Sequence, residues 1–127
     1  MPVHRISTRG LTNIINNNVR QQAVCVVKFY SNGCHYCHAL HDYYVDLSEE
    51  LGDDVDTFFY AFNIEDEPSF EKSLNFNGVP TIVVFKANPE KKPMKAKQFK
   101  LQDPDNPNEK TWYRVRDIRN FIEKHRN

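Results

Sequence analysis

The chain has 127 residues, of which 39% are hydrophobic and 27% are charged, a composition typical of one compact globular domain. Lysine and arginine together number 17, as do aspartate and glutamate, so net charge provides no broad attraction to nucleic acid or to an anionic membrane. The longest uniformly apolar run, residues 24–27, is far shorter than the roughly 20 residues of a membrane-spanning helix. We therefore predict a single domain over residues 1–127 that binds neither nucleic acid nor membrane.

The cysteine content and the N-terminal segment indicate in which cellular compartment the protein is expected. The chain has three cysteines, an odd and small number that argues against a secreted scaffold held by disulfides. The first ten residues, MPVHRISTRG, contain no apolar stretch of the kind found in a secretory signal. We therefore expect a cytoplasmic protein in a reducing setting, and we expect it to be a monomer.

The N-terminal half shows the pattern of an α/β protein. A short strand is predicted over residues 3–6 and a helix over residues 11–18. Longer strands, rich in β-branched and aromatic residues, are predicted over residues 23–31, 57–64 and 81–86. Because these strands are almost continuously apolar, they favour a sheet that is covered on both faces.

A helix is predicted between the first two long strands, over residues 37–51. Its apolar side chains recur at spacings of three and four residues, which is typical of an amphipathic helix; they are Leu40, Tyr43, Tyr44, Leu47 and Leu51. A strand, a helix and a strand in this order predict a right-handed parallel crossover.

The C-terminal half predicts shorter elements. A short helix is expected over residues 68–76, with Pro68 at an early position. An edge strand is expected over residues 94–102, and residues 111–115 are predicted to extend it or pair with it. The last helix is expected from Asp117, as the N-cap, to His125.

The segment SNGCHYCH, Ser31 to His38, contains the two cysteines that we predict to be reactive. It follows a buried strand and begins the amphipathic helix, where unpaired N–H groups and the helix dipole stabilise an anion. Such a site can lower a thiol pKa from about 8.5 to between about 3.5 and 7.5. We predict that Cys34 is the nucleophile and that Cys37 attacks the mixed disulfide formed at Cys34.

The two residues between the cysteines, His35 and Tyr36, are predicted to modulate this pair. A protonated His35 would favour the Cys34 thiolate and so make the protein a stronger oxidant. The motif itself leaves the direction of electron flow open, because the redox potential depends on the relative stability of the thiolate and disulfide states.

Three blocks of sequence resemble the thioredoxin and protein disulfide isomerase superfamily. They read VVKFYSNGCHYCHAL, FNIEDEP and NGVPTIVVFK, and they occur in the order and at about the spacing of that family. The resemblance implies a thioredoxin fold, with a central mixed β-sheet flanked by helices on both faces. It also implies a thiol–disulfide oxidoreductase that acts on protein disulfides or dithiols, without a cofactor, and that is reduced by a thioredoxin reductase or by glutathione.

The same resemblance assigns a role to the Val79–Pro80 segment. Members of the family carry a cis proline after a short apolar residue, facing the cysteine pair. By similarity, Val79 would offer its backbone to an extended substrate segment, and Pro80 would lie against the sulfurs.

Two positions depart from the family pattern. Relatives usually carry tryptophan immediately before the first cysteine, whereas this chain has Gly33, which puts the substrate preference in doubt. Many relatives bury an acid in the preceding strand, whereas this chain has Lys28. A neutral, buried Lys28 could act as a base for Cys37, and the alternative is that its side chain extends to solvent.

Other functions are compatible with parts of the motif. The spacing CHYCH also satisfies the attachment signature of c-type haem, although such proteins are normally exported and helical. His35, His38 and His41 with the cysteines could hold zinc, although no second CxxC closes the site. The fold could also serve as a binding module that docks partners near Pro80, although the presence of both cysteines favours catalysis.

Two further signals have structural interpretations. The third cysteine, Cys25, lies in an apolar strand and is expected to be a buried, inert thiol. Trp112 and Tyr113 are expected to pack against the last helix.

Overall fold

A computed structural model describes residues 3–52 and 54–126 of the chain. Within them the strands are β1 (Val3–Arg5), β2 (Ala23–Tyr30), β3 (Thr57–Asn63), β4 (Thr81–Ala87) and β5 (Lys97–Lys100). The α-helices are α1 (Thr8–Ile15), α2 (His35–Leu51), α3 (Phe70–Ser73) and α4 (Val115–Arg126), and short 3-10 helices cover Ile64–Asp66 and Pro89–Lys91. None of these helices is long and apolar enough to cross a bilayer.

The five strands form one mixed sheet in the order β1–β3–β2–β4–β5. Strands β1 and β2 run parallel to β3, whereas β4 is antiparallel to β2 and β5 is antiparallel to β4. The parallel step from β2 to β3 passes through α2, as the predicted strand–helix–strand unit requires. The α/β class and the mixed sheet predicted from the sequence are therefore confirmed.

Both faces of the sheet are covered, because successive side chains of the central strand β2 point to opposite sides. On one face Val24 and Val26 pack with the apolar side chains of α2 and α4, which include Leu40, Leu47, Ile118 and Ile122. On the other face Val27 and Phe29 pack with side chains of α1 and α3, which include Leu11, Ile14 and Phe70. This double burial explains why β2 reads as an almost unbroken apolar run.

Helix α2 differs from its prediction at its start and on its buried face. It begins at His35, two residues early, because Cys34 is its N-cap. Tyr43 was expected to point inward, but it is 50% exposed. Tyr44, predicted for the same face, is fully buried, and its hydroxyl lies 3.0 Å and 2.8 Å from the carbonyl oxygens of Val26 and Tyr60. These contacts fix the helix that carries the cysteines to the two central strands.

The other helix boundaries also differ from prediction. Helix α1 starts at Thr8, because the Ser7 hydroxyl caps it by accepting a 3.0 Å hydrogen bond from the Gly10 N–H. Helix α3 covers only four residues and excludes Pro68. Helix α4 begins at Val115, so Asp117 lies in its first turn and is not the N-cap.

The segment before α4 differs most from its prediction. Strand β5 is an edge strand, as predicted, but the expected pairing of residues 111–115 with it is wrong. Asn108 and Trp112 instead form a β-bridge with each other. Their backbones exchange two hydrogen bonds with each other, and the segment does not pair with the sheet.

Candidate active site

Cys34 and Cys37 meet at the start of α2. They are joined by a disulfide, with their Cα atoms 5.2 Å apart. The backbone N–H of Cys37 donates a 3.0 Å hydrogen bond to Cys34 Sγ. In the reduced protein this N–H, with the positive end of the helix dipole, would stabilise a thiolate on Cys34.

The two sulfur-bearing residues differ in their access to solvent. Cys34 is half-buried, whereas Cys37 is 1% exposed. A disulfide on another molecule can therefore reach Cys34 but not Cys37. This asymmetry agrees with an attacking role for Cys34 and a resolving role for Cys37.

Polar contacts fix the turn that precedes Cys34. The Asn32 N–H donates to the Glu65 carboxylate at 2.7 Å, and the Asn63 amide donates to the Asn32 side-chain oxygen at 3.1 Å. His38 Nε2 lies 2.7 Å from the Asn32 carbonyl oxygen, so a proton on this nitrogen completes a third bond. Because β2 and β3 are parallel, the turn and the residues that follow β3 lie at the same edge of the sheet.

A cleft of about 360 Å³ lies behind the buried cysteine. Its walls include Cys37 and Lys28, together with the side chains of Arg5, His38 and His41. The cleft therefore brings the predicted modulator Lys28 to Cys37, in surroundings rich in basic side chains.

Lys28 is buried against aromatic rings. It is 2% exposed, so the alternative that its side chain extends to solvent is wrong. Its Nζ lies 5.2 Å from the ring centroid of Tyr44 and 5.9 Å from that of Tyr30, where the ring faces attract a cation. Burial nevertheless lowers the pKa of Lys28 from 10.5 to about 8, because the charged form loses its hydration.

The Val79–Pro80 segment lies at the same edge of the sheet as the cysteine turn. The register pairs Phe29 with Thr81, so the next residue outward on β4, Pro80, is level with Tyr30, where the turn begins. The Val79–Pro80 peptide bond is cis, and Pro80 is buried. Among the described residues, none forms a hydrogen bond with the Val79 backbone, which is therefore free to pair with another chain.

The remaining predicted residues surround Cys34. His35 and Gly33 are exposed, and a Cβ atom placed on Gly33 would meet no atom within 4 Å. Space is therefore open where relatives carry tryptophan. Tyr36 is 36% exposed, and its ring lies 5.5 Å from the ring of Trp112. Trp112, expected only to support the last helix, thus also contacts the motif.

The thioredoxin family model matches residues 7–103, more than half of the chain. The chain belongs to the thioredoxin family. No curated protein matches it in sequence.

Solved structures of two thioredoxins and of a fragment of ERdj5 share the fold of this family member. Chloroplastic thioredoxin z is 18% identical with a TM-score of 0.63, and the alignment covers 98% of this chain and 94% of that one. The Malassezia sympodialis thioredoxin is 16% identical with a TM-score of 0.65 and the same coverage, 98% and 94%. The J-Trx1 fragment of ERdj5 is 18% identical with a TM-score of 0.65; the alignment covers 98% of this chain, which spans only 50% of that fragment. At these identities the likeness shows the fold alone.

Besides the redox pair of this thioredoxin-family domain, the sequence predicted a buried thiol at Cys25 and raised the alternative of a zinc site that includes histidines. Cys25 is free and 2% exposed, and burial raises the pKa of its thiol to about 12, which confirms the predicted buried thiol. In residues 3–52 and 54–126 no group of three or more histidine, cysteine, aspartate or glutamate side chains is arranged to hold a metal ion. The zinc alternative therefore finds no ligand set in the described part of the chain.

Sequence reasoning missed the residues that hold the thioredoxin turn in place. Asn32 lies more than thirty positions from Asn63 and Glu65 along the chain, and no local pattern predicts that they meet. One available signal was that Asn32 lies two residues after β2 and that Asn63 ends β3, the strand parallel to β2, which places them at one edge.

Replacing Lys28 with methionine tests the burial of its ammonium group. In the unfolded chain Lys28 keeps its ordinary pKa of 10.5, whereas in the folded domain its pKa is about 8. Between these pH values the unfolded state binds more protons at Lys28, so this residue makes the wild-type stability rise with pH. We expect Lys28→Met to be the more stable protein at pH 7, and its advantage to shrink by about 3 kcal/mol between pH 8 and pH 10.5.

Urea unfolding followed by circular dichroism over this pH range measures the difference. The exposed lysine of the edge strand, Lys97, supplies the control, because Lys97→Met also removes one lysine side chain but not a buried one. Contributions from Cys25 and the tyrosines are common to all three proteins and cancel. A pH-independent advantage of Lys28→Met would contradict the lowered pKa.

Proposed function

We propose that this protein is a thiol–disulfide oxidoreductase that reduces disulfides of other proteins. The observation that carries the proposal is the arrangement of its two cysteines: Cys34 is accessible at the start of α2, and Cys37 is buried one turn behind it. Membership of the thioredoxin family supports the same reaction. The disulfide between the two residues is the oxidised product that the reaction would leave.

In the first step the Cys34 thiolate attacks one sulfur of the substrate disulfide. A bond forms between Cys34 Sγ and that sulfur, the substrate S–S bond breaks, and the other substrate sulfur leaves as a thiolate. The Cys37 N–H, 3.0 Å from Cys34 Sγ, stabilises the attacking anion.

In the second step Cys37 loses its proton and its thiolate attacks Cys34 Sγ. The Cys34–Cys37 disulfide forms, and the second substrate sulfur leaves as a thiolate. Two electrons have then passed from the protein to the substrate. We assign the proton acceptor to the neutral form of Lys28, which shares the cleft with Cys37 and whose pKa of about 8 makes this form available near neutral pH.

Residues around Cys34 complete the proposed site. Val79 offers backbone hydrogen bonds to an extended substrate segment beside Pro80, and the space beside Gly33 admits that segment. His35 and Tyr36 modulate the pair, and a protonated His35 would favour the Cys34 thiolate.

We extend the proposal to a cytoplasmic, monomeric reductant that is itself reduced by a thioredoxin reductase or by glutathione. The small number of cysteines supports a reducing compartment. Reduction of the Cys34–Cys37 disulfide by such a partner returns the two electrons and closes the cycle.

Cysteine variants test the reaction in an insulin-reduction assay with dithiothreitol as the electron source. We expect Cys34→Ser to fall to the rate of dithiothreitol alone, because it lacks the attacking sulfur. When reduced Cys37→Ser is mixed with insulin in the absence of dithiothreitol, it should accumulate a covalent complex with insulin that adding dithiothreitol breaks. Cys25→Ala is the matched control and should retain the wild-type rate. Full activity of folded Cys34→Ser would refute the proposal.

A second variant tests the role of Lys28 in the second step, in which Cys37 attacks the mixed disulfide. Mixing the reduced protein with 5,5′-dithiobis(2-nitrobenzoate) should release one thionitrobenzoate when Cys34 attacks and a second when Cys37 resolves the mixed disulfide. We expect Lys28→Met to slow the second phase by roughly 100-fold relative to the first at pH 7.5, a typical loss for a missing general base. Lys97→Met should leave the ratio of the two phases unchanged. An unchanged ratio in Lys28→Met would exclude the base role.

A further inference from the structure

The segment between β5 and α4 is a closely hydrogen-bonded loop. We name residues 103–114 the Trp112 loop. The backbones of Asn108 and Trp112 exchange two hydrogen bonds, of 2.9 Å and 3.0 Å. The Arg114 guanidinium donates to the Asn106 carbonyl oxygen at 3.2 Å. The loop is therefore held by its own contacts.

Trp112 is fixed in an unfavourable backbone conformation. Its φ is 65°, in the left-handed region that bulky side chains rarely adopt. The residues on either side, Thr111 and Tyr113, are buried at 7% and 1% exposure, and the indole N–H lies 3.3 Å from the Asp103 carboxylate. Such strain persists only where the surroundings impose it, and it often marks a functional position.

The loop brings Trp112 to the redox motif. The indole ring lies 5.5 Å from the ring of Tyr36, at an interplanar angle of 59°, and Tyr36 lies between the two cysteines. Both rings retain exposed surface. We name this pair of rings the aromatic shelf.

One of the two rings of the shelf, Trp112, lies in a part of the chain that the family match does not cover. That match ends at residue 103, where the Trp112 loop begins. In the matched part, Gly33 leaves open space next to Cys34. The loop therefore supplies, from a distant part of the sequence, a second aromatic ring beside Tyr36 of the motif.

We propose that the aromatic shelf of Trp112 and Tyr36 selects polypeptide disulfides that carry an aromatic side chain next to the reacting cysteine. The proposal rests on the proposed function. Because Cys37 is buried, any substrate must approach Cys34 and so pass over the motif that bears Tyr36. A substrate ring stacked on the shelf would gain about 0.5–1.5 kcal/mol beyond its burial, which corresponds to a preference of about 2- to 12-fold.

Two cyclic peptides test this preference. Each is closed by one disulfide, and they differ only in the residue before the first cysteine, which is phenylalanine in one and serine in the other. We expect wild-type protein to reduce the phenylalanine peptide with a kcat/KM about 2- to 12-fold higher than the serine peptide. The ratio is measured within each protein, so a general loss of activity cancels.

The variants remove or keep the indole ring. Trp112→Gly removes it and suits a positive φ, and Trp112→Asn, which also tolerates that region, is the second choice if the glycine variant does not fold. Both should bring the ratio close to one, whereas Trp112→Phe should retain it. Tyr43→Ala is the control, because it removes an exposed aromatic ring from α2 two turns beyond Tyr36 and should keep the wild-type ratio.

The outcomes separate the inference from the reaction on which it rests. If wild-type protein reduces both peptides equally, or if folded Trp112→Gly keeps the wild-type ratio, the shelf does not select substrates and the inference is overturned while the proposed function stands. If folded wild-type protein reduces insulin but neither peptide, the inference is overturned and the proposed function stands. If it reduces neither insulin nor the peptides, the proposed function fails and the inference fails with it.

Discussion

The hydrogen bond from the Cys37 N–H to Cys34 Sγ depends on where helix α2 begins. Strand β2 is buried on both faces and ends at one edge of the sheet. The turn that follows is fixed by Asn32 and places Cys34 at the N-cap of α2. At that position free N–H groups face the sulfur. The same helix is held over the sheet by Tyr44, so the fold sets the geometry of the sulfurs before any substrate is present.

In this member of the thioredoxin family a lysine, Lys28, shares a cleft with Cys37. Many relatives bury an acid at this position, whereas Lys28 is a base that burial makes partly neutral near pH 8. In its protonated form Lys28 would favour a thiolate on Cys37, and in its neutral form it could accept the Cys37 proton. In the proposed reaction, one side chain thus connects the electrostatics of the cleft to the second step.

The sequence was sufficient for the elements whose signal is local. Apolar runs predicted β2, β3 and β4 to within one residue at each end, and the CHYC spacing at a helix start predicted the cysteine pair. Features that depend on long-range contacts were not predictable in this way. Lys28 in a strand is equally compatible with burial and with exposure, and only the packing of Tyr44 over it decides between them. Trp112 has no periodic pattern that would place it beside Tyr36.

The central claim is that Cys34 is an accessible thiol whose anion is stabilised at the start of α2. The most direct measurement is the pH dependence of iodoacetamide alkylation of the reduced protein, with the modified residue identified by mass spectrometry. The account predicts that Cys34 is alkylated first, with a pKa below the value of about 8.5 for a free cysteine. Alkylation of Cys37 before Cys34, or a Cys34 pKa at or above about 8.5, would contradict it.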